Sequence, residues 1–169
     1  MVDTTRLAAT LSSQHETIRQ LLAGVRDTVG DERRLAFDAF SKFLAAHEGI
    51  EVEAMHTPVR DVLADPDVAR SRIHEETTAL LAMAHLEGMD VDGLDFVDAF
   101  DELSTSVTDH ADAEEAEELP AIAARLGQAD VDRIQQALEA VPRLAELTPE
   151  GATTFAARVD TVRGTVAGA

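Results

Sequence analysis

"TDHADAEEAEELPAI", residues 108–122, sets His110 among six carboxylates in a stretch of helix formers. A charge run on a helix is ordinarily a solvated face. At about 100° per residue, however, His110 and Glu114 continue the apolar stripe marked by Phe96, Phe100, Leu103 and Val107. Polar groups on such a stripe need partners in the interior. "AAHEGIEVEAM" (45–55) repeats the His-x-x-x-Glu spacing in His47 and Glu51, so the two copies are candidates for one site.

The rest of the chain is patterned in the same way. From Leu7 the apolar series runs Leu7, Leu11, Ile18, Leu22, Val25 and Val29, and His15 fills its gap. Gly30-Asp31 ends that helix. A second helix over roughly 31–63 aligns Ala36, Phe40, Phe43, Leu44, His47, Glu51 and Ala54, with Pro58 as a point for a kink. "ADPD" (64–67) reads as a turn and a helix start, with Asp65 as N-cap and Pro66 at the first helical position. The third helix runs to about Gly88 with His74, Leu81 and Ala84 aligned. After "GMDVDG" (88–93), the fourth carries His110 and Glu114 and ends near Gly127. Two shorter pieces follow, one with Ile134, Leu138 and Val141. The other opens at Thr148-Pro149 and carries Phe155, Val159, Val162 and Val166. The expected fold is all-α: an up-down-up-down four-helix bundle over residues 1–128, with a C-terminal helical extension, 129–169, packed on it.

Composition agrees and removes several functions. The 169 residues fit one domain with a sizeable core, 45% of them apolar, but with only six Phe and no Trp or Tyr. Such a core of Ala, Leu, Val and Ile favours helices. The absence of Cys excludes disulfides, thiolate metal sites and cysteine nucleophiles. A net charge of −19 argues against nucleic-acid or anionic-membrane partners. No signal peptide or membrane-length apolar run is evident, so the expected location is cytoplasmic.

In an up-down bundle, residues equidistant from a turn lie at one height. The midpoint of His15 and His47 is residue 31, in the first turn; that of His74 and His110 is residue 92, in the third. Glu51 and His74 are equidistant from a point between residues 62 and 63. One histidine from each helix, with Glu51 and Glu114, is therefore expected at one level of the core. Two buried unpaired carboxylates would be costly, and a metal offsets that cost. His56, nine residues after His47, is about 180° away and expected to face outward. Glu53-Ala-Met-His56 spells the Glu-x-x-His of ferritin-like sites but has no second copy. His85 lies about 16 Å along the axis from His74, outside the ligand layer. Glu48 is a candidate additional ligand, Glu75 a solvated flank, and Glu117 is expected to line the end of the site.

Four imidazoles and two carboxylates without sulfur suit Fe, Mn, Zn or Cu and not an all-oxygen Ca or Mg site. Six ligands exceed the needs of one tetrahedral ion and fit two, bridged by Glu51 and Glu114. Redox chemistry at such a pair points to iron.

At "QHETIRQLL" (His15), "HEGIE" (His47, Glu51), "HEETTALL" (His74) and "HADAE" (His110, Glu114) the chain resembles the hemerythrin-like, or HHE cation-binding, family. The resemblance implies an oxo- or hydroxo-bridged diiron centre. In it His15 and His47 serve one iron, His74 and His110 the other, and both Glu bridge. It also implies small-molecule partners such as O2, hydrogen peroxide or nitric oxide. Thr78 stands where oxygen-carrying members place a further His, which weighs against reversible O2 carriage. The functional expectation is therefore a peroxide-decomposing or oxidase-type diiron protein, monomeric or homodimeric. The alternatives are a non-catalytic iron or O2 sensor, carrier or store, or a diiron oxidase of one small metabolite.

Overall fold

The structure is a computed structural model. It describes residues 2–56, 66–147 and 152–167; for 66–73 and 76 it describes the backbone only. All regular elements among the described residues are helical. They are α1 (Thr5–Asp27), α2 (Gly30–Ile50), α3 (Pro66–Glu87), α4 (Leu94–Ala113), α5 (Leu119–Arg125), α6 (Gln128–Leu138), α7 (Val141–Glu146) and α8 (Phe155–Ala167). Two π-helical turns, Glu51–His56 and Glu114–Glu118, continue α2 and α4 without a break in the chain's course. Helix α3 begins at Pro66 as expected, whereas Pro58, Asp65 and Thr148-Pro149 lie outside the described residues. No helix among the described residues is long and apolar enough to cross a membrane.

The α1 stripe is buried as its periodicity requires: Leu7, Leu11, Gln14, His15, Ile18, Leu22 and Val25. The turn after it is built by two side chains and a glycine. Gly30 takes φ +62°, a left-handed conformation that glycine adopts without a Cβ clash, and its N–H donates to Asp92 Oδ1 at 2.8 Å. Arg33 donates to the carbonyls of Val25, Thr28 and Val91, satisfying groups that the end of α1 leaves open. Both devices join the α1–α2 turn to the α3–α4 turn. Arg26 pairs with Asp101 and Arg19 with Asp112, so α1 and α4 run in opposite directions. Beneath these turns Phe37, Phe40, Phe96 and Phe100 form an aromatic cluster, with Phe37 edge-on to Phe96 at 5.4 Å.

Helix α2 is buried on every side from Leu44 to Ile50 because α7 and α8 cover its back. At Gly49 the approach of α8 is close enough that a Cβ would stand 2.9 Å from Val162 Cγ1. Arg158 of α8, itself buried, holds Ser41 Oγ at 2.6 Å and Asp38 at 2.7 Å on α2. Leu138 and Val141, expected on one helix, fall on two, and Pro142 sits in the first turn of the second.

One expected face is wrong. Among the side chains described on α3 the buried ones are Ala79, Met83 and Leu86, while Leu81 and Ala84 are exposed. Steps of four and three along that face lead back to residue 75, not 74. Glu75 is accordingly half-buried, and His74 is exposed together with Thr78 and His85.

Candidate metal centre

His15, His47, Glu51, His110 and Glu114 come together in the interior. Glu51 and Glu114 have no exposed surface, and His110 is the most accessible of the five at 8%. His15, His47, Glu51 and Glu114 each offer a donor atom within 4.8 Å of all the others; Glu48, Glu51 and His110 form a second such group. Glu48 is thus brought in as its position beside His47 allowed. His74 belongs to neither group, since it faces outward on α3.

Three imidazoles share one arrangement. His15 Nδ1 lies 2.7 Å from Glu115 Oε1, His47 Nδ1 lies 3.0 Å from Gln14 Oε1, and His110 Nδ1 lies 2.8 Å from Glu75 Oε2. Each outer partner accepts, so each ring carries its proton on Nδ1 and turns Nε2 inward. There Nε2 meets a carboxylate: Glu114 Oε2 at 3.2 Å from His15, Glu51 Oε1 at 3.2 Å from His47, and Glu114 Oε1 at 3.3 Å from His110. His15 Nε2, His110 Nε2, both Glu51 oxygens and Glu114 Oε2 are buried and make no hydrogen bond. With the rings neutral and the carboxylates ionised, bare lone pairs would face one another, and a positive centre, a proton or a metal ion, reconciles them.

A metal ion fits that requirement. Two donors about 2.1 Å from one ion, at octahedral or tetrahedral angles, stand about 3.0–3.4 Å apart. The observed separations lie inside this interval, and the outer acceptors on Nδ1 are what orient metal-binding imidazoles.

The electrostatics of the metal-free site point the same way. Burial first, and then the charge of Glu114, hold the Glu51 carboxyl well above the usual range. Burial opposes charge on Glu114 too, but contacts with His110, His15 and His56 outweigh it and keep Glu114 ionised. Burial also disfavours a charged His110, yet Glu114 beside its ring and the charges of Glu48 and Glu51 push it up to about 11. His47, buried and beside His15, is brought down to about 3. One ring retains a second proton and another refuses it.

The expected outward face of His56 is also corrected. His56 is buried, with Nε2 2.9 Å from Glu114 Oε1 and 3.5 Å from Glu118 Oε2. The cause is the π-helical turn: its i→i+5 bonding sets His56 beneath Glu51, where an α-helix would have carried it round to solvent. The matching turn after Glu114 buries Glu118 and leaves Glu117 exposed. Glu53 stays outside, paired with Arg163 at 2.7 Å. His56, Glu118 and Glu75 were missed as neighbours of the site. For Glu75 the signal was available in the Ala79, Met83, Leu86 spacing; for His56 no residue pattern announces a π turn.

The family model described as the hemerythrin HHE cation binding domain matches residues 6–122. The chain belongs to this family. The match spans both His-x-x-x-Glu copies and stops within α5, so α6, α7 and α8 lie beyond the HHE domain. Neither the curated proteins nor the solved structures gave a match. HHE domains bind metal cations, and among the described residues the His/Glu groups above, with His56, Glu114 and Glu118 as a further one, could hold them.

Proposed function

We propose that this HHE protein is a non-heme diiron protein that turns over peroxide or O2, its long helices running up-down-up-down around the centre. The observation that carries the reading is the division of Glu114: Oε2 faces His15, and Oε1 faces His110 and His56. A carboxylate whose two oxygens serve two imidazole sets is built to bridge. Glu51, which belongs to two of the three donor groups, the third being His56, Glu114 and Glu118, is the second bridge.

In this reading His15, His47, Glu51 and Glu114 hold one ion. His110, Glu48, Glu51 and Glu114 hold the other, and His56 supplies the imidazole that the family resemblance assigned to His74. Nitrogen and oxygen donors in this number, without sulfur, favour a redox-active ion such as iron over a closed structural zinc. An iron pair, when bound, would supply two-electron redox chemistry in which one peroxide is reduced to water and a second, oxidised to O2, returns the electrons.

The surrounding residues decide access. A surface groove of ≈ 650 Å³, lined by Glu75, Asp109, His110 and Thr105 among others, reaches the second ion's side of the centre. The His15 and His47 side is sealed beneath buried Gln14 and half-buried Glu115. Small ligands therefore enter beside His110. Glu75, part-exposed and bonded to His110 Nδ1, can exchange a proton with solvent there.

The test is iron content per chain, then oxygen evolution from peroxide. About two irons and steady evolution are expected. His56→Ala should lower iron content, whereas His74→Ala should leave it unchanged. One zinc and no iron would refute the diiron reading. No oxygen evolution, with a spectrum that reverts on degassing, would make the protein a carrier or sensor.

A further inference from the structure

We propose that Gln14 is a positioning residue for His47, and that the C-terminal helices reach the metal centre through it. The role rests on His47 being a metal ligand, as proposed above. Gln14 is buried next to His15 and uses both ends of its amide. Nε2 donates to the Leu138 carbonyl at 2.7 Å, and Oε1 lies 3.0 Å from His47 Nδ1. A carbonyl only accepts, so the Leu138 bond fixes which way the amide points. Oε1 then faces the ring, the proton of neutral His47 sits on Nδ1, and Nε2 is left bare towards Glu51.

The carbonyl of Leu138 is open to Gln14 for a reason written in the sequence. Leu138 is the last residue of α6, and four residues on stands Pro142, which has no N–H with which to continue the helical bonding. Leu138 and Pro142 both lie outside the 6–122 span of the HHE domain. A segment beyond the domain thus sets the tautomer of a ligand inside it. His15 and His110 are held differently, by the part-exposed carboxylates Glu115 and Glu75. His47 alone of the three depends on a neutral amide anchored to another element.

Two variants of the full chain separate positioning from support. Gln14→Leu removes both bonds, and Gln14→Glu keeps an acceptor for His47 Nδ1–H. The readouts are equilibrium titration with Co2+, followed by its visible absorption, and nitrogen NMR of the histidines in metal-free protein. Wild-type His47 should be the Nδ1–H tautomer. Gln14→Leu should bind its first Co2+ about 10–100-fold more weakly. Gln14→Glu, which keeps the acceptor for His47 but gives up the donor to Leu138, should recover only part of that loss. If Gln14 only held helices together, both variants would melt earlier while the folded protein bound Co2+ as wild type does, and the proposal would fall. An Nε2–H tautomer in the wild type would overturn it with no variant needed. Wild type that bound no Co2+ would sink the metal-centre reading and this role with it; unchanged affinity in Gln14→Leu sinks the role alone.

Discussion

Replacing Glu51 by Gln should make the metal-free protein more stable and the metal-loaded protein less so. Glu51 is fully buried, neither oxygen makes a hydrogen bond, and burial with the charge of Glu114 makes its ionised form costly. The amide keeps the shape, removes the cost of holding an ionisable carboxyl there, and can donate to Nε2 of His47, which stands 3.2 Å from Glu51. Relief of one unsatisfied buried group amounts to about 1–3 kcal/mol. For a chain of this size that corresponds to a rise of roughly 2–12 °C in Tm. Metal reverses the order. An ion present at about 1,000 times its Kd stabilises the wild type by about 4 kcal/mol, and the variant, having lost the bridging ligand proposed above, should gain far less. The assay is thermal unfolding by circular dichroism, after chelation and again after reloading, with metal content measured on the same samples. A metal-free Glu51→Gln protein that melts below wild type would refute the reasoning, because it would mean that Glu51 is structurally satisfied without an ion.

Glu114→Gln should behave oppositely in the metal-free state. It removes the partner of His15, His56 and His110, so a loss of about 3–5 kcal/mol in chemical denaturation is expected. Metal-free stability should fall as pH rises above about 6.5, because His110, raised to about 11, and Glu51, also raised, both contribute stability that is lost as they deprotonate in the fold. Between about 4.5 and 6.5 the opposed shifts of Glu51 and of His47, lowered to about 3, offset each other and the curve flattens. Stabilisation by metal should instead grow as pH rises, because ligation requires deprotonated ligands; paired melts with and without metal across that range check both signs. Gly49→Ala should cost about 1–3 kcal/mol by driving a Cβ to 2.9 Å from Val162 Cγ1 and 3.2 Å from the Val159 carbonyl, and a melt at wild-type temperature would show that α8 yields freely.

The α1 and α4 stripes were legible because the ligands there are spaced like the apolar residues around them. His15 continues Leu11 and Ile18, and His110 continues Phe100, Leu103 and Val107, so burial of the ligand follows from burial of its neighbours. On α3 the polar residues His74, Glu75, Thr77 and Thr78 separate the motif from Ala79 and Met83. A phase fixed by Leu81 and Ala84 then chose the wrong side, since alanine and a single leucine are tolerated on an exposed face. The outer acceptors were hidden for another reason. Gln14 and Glu115 adjoin His15 and Glu114 in the chain, but the contacts that give them purpose come from α2, α6 and α1. His56 escaped because counting at 100° per residue presumes an α-helix, and the chain leaves that geometry at Glu51.

Each π turn stores one residue more than an α-helix would use to cover the same circuit, and each begins at one of the two fully buried glutamates, Glu51 and Glu114. The inner position of His56 is therefore a property of that winding, in which five residues complete the circuit from Glu51. Point changes at Val52 or Ala54 leave the count intact. Loss of one residue between Glu51 and His56 would close the helix to ordinary pitch and leave His56 four positions after Glu51, still on its face. The position is lost instead if the intact segment winds as an α-helix, which would carry His56 about 100° further round.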